Sequence, residues 1–253
     1  MPNHFIFGDV HGDVTKLRKL LAQVDEDLGG EPCQLYSLGD LIDRGPDSKE
    51  VIGLCIQRNV ELIIGNHELW LHEWAANGKA NPLQPMSRIM GGKATLRSYG
   101  IDPDAVDFPA DEEGFGELLS QCVPRHHARY LLTAVFFLAI THCGEQYVLT
   151  HGGLSKSAVK NAYGGTAIKK VNSAFDTNPA QHMWVGAKPG DVGVLPGRAV
   201  QIFGHTPWPS GPEVDLLRGQ YIALDTGCGT CFPYRLSGVL LREDGSLETF
   251  TQG

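Results

Sequence analysis

Five clusters of polar residues each follow a short apolar segment, and this repetition constrains the fold more than any other feature of the chain. They are GDVHG at 8–12, GDLIDRG at 39–45, GNHE at 65–68, HGG at 151–153 and GH at 204–205. One Asp or His after a strand is usually a turn former or a solvated end. Five such clusters indicate that several strand ends supply one site, and their glycines let the backbone approach a bound group.

The apolar segments alternate with helical patterns in the first third of the chain. Strands are predicted at 4–7, 34–38 and 60–64, with one helix after Asp13 and another over 49–57. Strand, helix, strand, helix, strand is the pattern of a parallel sheet covered by helices. The loops at its carboxyl edge are where such sheets usually bind ligands.

The remainder of the chain predicts a helical insertion and a second sheet. From 69 to about 132 the pattern is helical, with the clearest helix at 86–98 and a Pro/Asp-rich loop at 101–113. We interpret 1–253 as a single domain with a mostly helical insertion at about 77–130. Later strands, which predict a second sheet packed on the first, are expected at 135–141, 147–150, 200–203, 221–224, 236–241 and 247–250.

Composition excludes several classes of protein. The chain of 253 residues is 42% hydrophobic, which is enough for a sizeable core. A net charge of -8 without a Lys/Arg cluster argues against nucleic-acid binding. The longest apolar stretch, 131–140, is too short to span a bilayer. With dispersed cysteines and no signal-peptide pattern, we expect reduced thiols, no membrane partner and a cytoplasmic location.

The polar clusters supply carboxylates, an amide oxygen and imidazoles, a ligand set that suits Mn, Fe or Zn better than a thiolate site would. At least six candidate ligands exceed the three or four that one ion needs. Two adjacent ions explain the surplus, and such a pair generates a hydroxide nucleophile and clamps the oxygens of a phosphoryl displacement.

The sequence also argues against other mechanisms of phosphate chemistry. A cysteine phosphatase would need Arg six residues after Cys143, where Leu149 stands. The Gly91-Gly92-Lys93 segment lacks the spacing of a nucleotide P-loop, and no G-x-S-x-G sequence occurs.

The chain resembles the metallophosphoesterase superfamily, and most closely its phosphoprotein phosphatase branch (PPP-type serine/threonine phosphatases). The motifs are GDVHGD at 8–13, GDLIDRG at 39–45, GNHE at 65–68, HGGL at 151–154 and FGHTP at 203–207. GGKATLRSYG at 91–100 and IALDTGC at 222–228 resemble bacterial and phage members. The resemblance covers nearly the whole chain and implies an α/β (α+β), calcineurin-like fold, a four-layer αββα sandwich.

The resemblance also implies two divalent metal ions. Manganese is the first choice, and Fe, Zn, Ni, Co or Mg also suit the ligands. The first ion would be bound by Asp9 and His11, with Asp40 bridging to the second, whose further ligands would be Asn66, His151 and His205.

The same resemblance assigns the catalytic and phosphate-binding roles. His67 would donate a proton to the leaving alkoxide and pair with Asp43, whose charge favours the imidazolium. Arg44 would hold phosphate oxygens with its forked donors, and Asn66 would also reach the phosphate. Glu68 is interpreted as a helix-start residue.

One departure from the branch concerns a second phosphate-binding Arg, which usually follows a Trp shortly before the last metal-binding His. Here Lys188 follows Trp184, and Arg198 comes later. Either basic residue would replace the missing Arg, or both are ordinary solvated residues.

Three hypotheses for function remain. The first is a serine/threonine protein phosphatase that attacks with a metal-bridging hydroxide and forms no phosphoenzyme. The alternative is a bis(5'-nucleosyl)-tetraphosphatase, a diadenosine tetraphosphate hydrolase. The third is a non-catalytic scaffold. The expected partners are therefore phosphorylated proteins or peptides, small phosphoesters or dinucleoside polyphosphates.

Overall fold

The strands of the protein form two five-stranded sheets in a computed structural model that describes residues 2–163, 190–208, 210–217, 220–230 and 234–253. The first sheet contains β1 (Asn3–Phe7), β2 (Cys33–Ser37), β3 (Glu61–Leu62), β9 (Leu236–Leu241) and β10 (Leu247–Gln252). Its spatial order is β10-β9-β1-β2-β3. The strands β1, β2 and β3 are parallel, and the two late strands add an antiparallel edge.

The second sheet contains β4 (Phe137–His142), β5 (Glu145–Gly152), β6 (Val200–Gly204), β7 (Glu213–Asp215) and β8 (Tyr221–Ala223). Its order is β4-β5-β6-β8-β7, with parallel pairing among β5, β6 and β8. The outer strands β4 and β7 pair antiparallel. Both sheets therefore have a parallel centre, whose carboxyl ends carry the polar clusters.

The described helices are α1 (Val14–Leu28), α2 (Ser48–Gln57), α3 (Leu69–Asn77), α4 (Leu83–Met86), α5 (Lys93–Ser98), α6 (Glu112–Cys122), α7 (Arg125–Leu132) and α8 (Lys156–Tyr163). A short 3-10 helix covers Pro196–Arg198. Asp13 starts α1 by accepting a hydrogen bond from the Lys16 backbone N–H (2.9 Å). None of the helices in the described ranges is long and apolar enough to cross a bilayer.

Alternate side chains along a strand face opposite sides of its sheet, one toward the helices and the other toward the second sheet. In β1, Phe5 and Phe7 pack with the apolar residues of α1 and α2, while Ile6 between them packs against the second sheet. On the far side of the second sheet, Val148 packs with Ala158 of α8. The result is the predicted mixed α/β arrangement, with two sheets between layers of helices.

The helix predicted at 86–98 is wrong in its first half. The chain leaves α4 at Met86, makes a turn and begins α5 only at Lys93. Gly91 in this turn has φ +73°, and its carbonyl accepts the Arg44 backbone N–H (3.0 Å). That position requires a backbone conformation in the left-handed region, which a helix excludes.

The loop predicted at 101–113 ends slightly earlier than expected. The side chain of Asp111 accepts hydrogen bonds from the backbone N–H groups of Glu113 and Gly114, and α6 therefore begins at Glu112. The range 77–130 contains α4, α5, α6 and most of α7. Its assignment as an insertion stays a prediction.

Candidate active site

The loops at the carboxyl ends of β1, β2, β3, β5 and β6 form one polar surface, which we call the strand-end face. Contacts of 3.8 Å or less link every predicted site residue into one cluster. These residues are Asp9, His11, Asp40, Asp43, Arg44, Asn66, His67, His151 and His205.

The backbone is strained at this face. Five non-glycine residues here have positive φ, a conformation that L-residues rarely adopt. Their φ values are 47° at His11, 51° at Asp40, 70° at Asp43, 68° at Arg44 and 67° at His205. Strained residues persist where the surrounding structure holds them for a function, so these angles support a site that depends on side-chain direction.

Glycines beside the acids make room for them. A Cβ on Gly204 would lie 2.2 Å from Asp9 Oδ1, and one on Gly65 would lie 2.2 Å from Asp40 Oδ1. No side chain fits at such distances. The G-H and G-N-H-E sequences are therefore required by the close approach of two carboxylates.

Asp40 lies at the centre of the cluster. Its Oδ2 is 3.7 Å from His11 Nε2 and 3.8 Å from His67 Nε2, and its Oδ1 is 3.3 Å from His151 Nε2. Among the described residues, two groups of three have ligand atoms within 4.8 Å of one another, and Asp40 belongs to both. The groups are His11, Asp40 and His67, and Asp40, His151 and His205.

Asp9 lies at the edge of these two groups. Its carboxylate accepts the backbone N–H of His205, at 3.1 Å to Oδ1 and 3.2 Å to Oδ2. The first group of three contains His67 beside His11 and Asp40, whereas Asp9, which the resemblance assigns to the first ion, belongs to neither group.

The histidine tautomers favour cation binding. His11 Nδ1 lies 3.0 Å from the Ile42 carbonyl and His151 Nδ1 lies 2.8 Å from the Leu38 carbonyl. A carbonyl only accepts, so each Nδ1 carries a hydrogen, and each Nε2, directed toward Asp40, is the atom that would bind a cation in place of a proton. This is the form in which imidazole binds a metal, with its second nitrogen held by an outer partner.

Several potential ligand atoms converge around His151. Its Nε2 lies 3.0 Å from Asn66 Oδ1 and 3.1 Å from His205 Nδ1. Burial lowers the pKa of His151, but Asp40 more than offsets this and the pKa rises to about 10. The structure therefore strongly favours positive charge at this point, and a divalent cation fits the donor set.

Five acids are buried at the face. Asp9, Asp40 and Asp225 are each 2% exposed, and Asp43 and Glu68 are 0% exposed. Burial raises the pKa of Asp9, which Asp225 and Asp40 raise further, and it raises those of Asp225 to about 6 and Glu68 to about 7. Burial also acts on Asp40, but His151 and His67 hold its pKa well below the usual range. Buried carboxylates are costly unless positive charge offsets them.

His67 and Asp43 form a buried pair. His67 Nδ1 donates to Asp43 Oδ2 at 2.8 Å, and Thr95 donates its hydroxyl to Asp43 Oδ1 at 2.7 Å. Burial lowers the pKa of His67, but Asp40 and Asp43 outweigh burial and raise it overall. The imidazolium is thereby favoured, with Nε2 directed toward Asp40.

Arg44 extends over the same face. Its Nη1 donates to Thr230 Oγ1 at 2.9 Å and also contacts His11 Nε2. The other basic candidates stay predictions, because Lys188 and the side chain of Arg198 lie outside the described residues.

Sequence reasoning missed the contributions of Glu68, Thr95 and Asp225. Glu68 does stand at the start of α3, but its carboxylate accepts four backbone N–H groups: Asp40 and Leu41 at 2.8 Å, Gly65 at 3.0 Å and Ile42 at 3.3 Å. It therefore ties together the loops after β2 and β3. Asp225 follows β8 as the other acids follow their strands, and that repeated pattern was a usable signal.

Two packed sheets with clustered imidazole and carboxylate side chains at their strand ends are the arrangement expected of a metallophosphoesterase. The chain belongs to the calcineurin-like phosphoesterase family, whose model matches residues 5–243. This is the superfamily that the five motifs predicted.

Curated relatives are similar over part of the chain. A symmetrical bis(5'-nucleosyl)-tetraphosphatase from Shewanella sp. (strain W3-18-1) is 31% identical over 127 residues, covering 49% of this chain and 43% of the relative. One of the same name from Pectobacterium atrosepticum is 41% identical over 69 residues, or 26% of this chain and 24% of the relative. The chain thus matches less than half the length of these relatives.

Solved structures share the fold over nearly the whole chain. A putative diadenosine tetraphosphatase has a TM-score of 0.54 at 19% identity and covers 100% of this chain and 96% of that one. A serine/threonine phosphatase from Saccharomyces cerevisiae has a TM-score of 0.53 at 14% identity, with coverages of 99% and 79%.

Proposed function

We propose that this protein hydrolyses dinucleoside tetraphosphates symmetrically at a centre of two divalent cations. The position of Asp40 in both candidate ligand groups is the observation that carries the dinuclear centre. The substrate rests on the names of the curated relatives, which favour the dinucleotide alternative over the phosphoprotein reading that the sequence put first. We keep the cytoplasm as the proposed location.

The proposed ligands divide between two cations. Asp9, His11 and Asp40 bind the first, with manganese as the first choice, and Asp40 also serves the second. The second is completed by Asn66, His151 and His205. The chemistry that such cations supply when bound is a lower pKa for an attacking water and positive charge opposite the transferring phosphoryl group.

His67 supplies the proton for the leaving group. Water forms a bond to the attacked phosphorus and releases one proton to solvent as the bridging P–O bond breaks. The leaving oxygen takes a proton from His67 Nε2, which solvent then restores. The raised pKa of His67 keeps this proton available near neutral pH, while Asp43 holds Nδ1–H and fixes the ring. Cleavage at the middle of the tetraphosphate yields two nucleoside diphosphates.

Arg44 and Asn66 hold the phosphate. The guanidinium matches two phosphate oxygens with parallel donors and offsets charge that develops during transfer. The Asn66 amide donates its N–H hydrogens to a third oxygen, while its Oδ1 remains directed at His151.

The test compares two substrates with one preparation loaded with Mn²⁺. We expect kcat/KM for diadenosine tetraphosphate to exceed that for a phosphoserine peptide, with ADP as the sole nucleotide product. Formation of AMP and ATP would contradict symmetrical cleavage. Preference for the phosphopeptide would restore the protein phosphatase hypothesis, and failure to cleave even p-nitrophenyl phosphate would support a scaffold.

A further inference from the structure

The loop after β8 turns back beside the first polar cluster of the strand-end face. Residues 227–230 form a tight turn, which we call the β8 turn, and the Thr230 backbone N–H closes it by donating to the Gly227 carbonyl at 3.0 Å. The Gly227 N–H donates to the Asp225 carboxylate at 2.9 Å. This second bond fixes the point at which the turn leaves the strand.

Two residues hold the β8 turn close to the loop after β1. The buried Cys228 thiol donates to the Val10 carbonyl at 3.2 Å. Gly229 has φ +64°, and a Cβ there would lie 2.5 Å from the Cβ of His11. No larger residue fits at Gly229, so the two backbones approach as closely as they can. Thr230, the next residue, is therefore placed beside the proposed ligands of the first cation.

The Thr230 hydroxyl links the β8 turn to Arg44. Its oxygen accepts a hydrogen bond from Arg44 Nη1 at 2.9 Å, and its hydrogen is donated to the Cys228 carbonyl at 3.1 Å. An arginine only donates and a carbonyl only accepts, so both roles of the hydroxyl follow from its partners. Because the hydrogen is bonded to the backbone, the hydroxyl presents a lone pair to the guanidinium in one direction.

The other end of Arg44 is held on the helical side of the face. Its backbone N–H donates to the Gly91 carbonyl at 3.0 Å, and a Cβ on Gly91 would lie 2.9 Å from Arg44 Cγ. The stem of Arg44 therefore packs against Gly91, while the guanidinium is bonded to Thr230. Arginine side chains have many rotamers, and holding both ends before substrate binds lowers the entropic cost of binding.

The contact with Thr230 leaves the phosphate-binding edge of the guanidinium available. Nη1 is the atom that contacts both Thr230 and His11 Nε2. Nε and Nη2, on the other edge, are parallel donors that match two phosphate oxygens. When His11 Nε2 binds a cation it has no lone pair for Arg44, and Thr230 is then the acceptor that remains for Nη1 in the described part of the chain.

We infer that Thr230 is a positioning residue, which orients the Arg44 guanidinium toward a phosphate group of the substrate. This inference rests on the proposed function only for the phosphate-binding role of Arg44, and it does not depend on what the phosphate is attached to. Without the hydroxyl, Nη1 is left to water and the guanidinium samples more rotamers. Loss of the hydroxyl should therefore weaken phosphate binding through Arg44 alone.

The first experiment uses Thr230→Val, which removes the hydroxyl, keeps the branched shape and alters an exposed position. Loss of one hydrogen bond predicts about fivefold weaker binding of inorganic phosphate to the Mn²⁺-loaded protein, measured by titration calorimetry, and a similar fall in kcat/KM for p-nitrophenyl phosphate. Thr230→Ser keeps the hydroxyl and should restore most of both. Thr133→Val is the matched control, because the exposed Thr133 hydroxyl also donates to a backbone carbonyl, that of Tyr130 at 2.7 Å.

The second experiment repeats Thr230→Val in an Arg44→Ala background. If Thr230 acts only through the guanidinium, the substitution should there change both measurements by less than about twofold. Equal losses in the two backgrounds would overturn the inference, because Thr230 would then act on the turn or on the cations. Native phosphate affinity in Thr230→Val, or a Thr230→Ser variant as impaired as Thr230→Val, would overturn it as well.

These outcomes are independent of the proposed substrate. Inorganic phosphate and p-nitrophenyl phosphate contain no nucleoside, so a preference for the phosphopeptide would refute the dinucleotide substrate and leave the role of Thr230. Calorimetry would still decide that role if the protein cleaved nothing. Cleavage of the dinucleotide together with equal losses in both backgrounds would refute the role of Thr230 and leave the function.

Discussion

His67 and His127 are both buried, at 2% and 4% exposure, yet their environments drive their pKa values in opposite directions. The pKa of His67 on the strand-end face is raised, because Asp40 and Asp43 outweigh burial. His127 belongs to the helical segment, α3 to α7, and contacts the Tyr99 hydroxyl at 2.9 Å. Burial, reinforced by His126 and Lys49, lowers its pKa to about 4. Burial thus decides protonation only where no carboxylate is near.

Backbone conformation differs between the same two regions. The strand-end face contains five non-glycine residues with positive φ, while the helical segment, residues 69–132, contains none. The helical segment is packed in relaxed geometry, and strain is concentrated where side chains must point at a common centre. Charge and strain therefore occur together on the strand-end face.

The largest expected effect comes from Asp40→Asn, which removes the charge that the two proposed cations share. We expect loss of both ions and a fall in kcat/KM of roughly 10³-fold, equivalent to about 4 kcal/mol of transition-state stabilisation. Metal content by mass spectrometry and hydrolysis of p-nitrophenyl phosphate measure the two effects. Asp107→Asn, at an exposed position of the helical segment, should change neither. Retention of both ions would contradict the bridging role.

The next largest effect is the loss of activity in His67→Ala. The size of this loss should depend on the leaving group. General acids contribute about 10²–10⁴-fold, and the contribution grows as the leaving oxygen becomes more basic. A phosphate oxygen with a pKa of about 6 needs little help. We therefore expect a large loss with phosphoserine peptide and a smaller one with diadenosine tetraphosphate, at unchanged metal content. Equal losses with both substrates would exclude His67 as the proton donor.

Thr95 connects the helical segment to the strand-end face, because it lies in α5 and its hydroxyl is hydrogen-bonded to both the carboxylate and the backbone N–H of Asp43. Thr95→Val leaves a buried carboxylate oxygen without its donor and should lower kcat by about tenfold, through the position of Asp43 and His67. Metal content should not change, and Thr95→Ser should restore most of the activity. Thr133→Val, at the exposed end of α7, is the control. If Thr95→Ser were as impaired as Thr95→Val, the hydroxyl would not be the cause.

The strand-end face was largely predictable from sequence because each acid or histidine there follows a strand at a tight turn. Glycines mark these turns, and parallel strands bring their ends to one edge. Asp225 was missed although it obeys the same rule. The role of Glu68 was predicted only in part. Its position at a helix start is local, whereas its hydrogen bonds to the backbone of Asp40, Leu41 and Ile42 join segments 26 to 28 residues apart.

The helical segment was less predictable for the opposite reason. Its helices are short and their ends are set by tertiary contacts, as with Gly91, whose carbonyl bonds Arg44 across the fold. A helical period over 86–98 carries no information about that contact.

The last effect is on stability and not on activity: a pH dependence of folding in the helical segment. His127 has a folded pKa of about 4, below the roughly 6.5 of an unfolded histidine. The neutral ring therefore stabilises the fold above pH 6.5, and this contribution is lost as the pH falls from about 6.5 to about 4, because only the unfolded chain gains the proton there. The loss amounts to about 3 kcal/mol of unfolding free energy.

Substitution of His127 isolates its contribution to the pH dependence of the unfolding free energy. His127→Gln keeps a hydrogen-bonding partner for Tyr99 but does not titrate, so urea unfolding at pH 7 and pH 4.5 should show a smaller loss of stability on acidification than in the native sequence. Carboxylates titrate in both proteins and cancel in the difference. His126→Gln, at the exposed neighbouring position, should retain most of the acid sensitivity. Parallel curves for the native protein and His127→Gln would show that burial does not hold His127 neutral, and the contrast with His67 would fail.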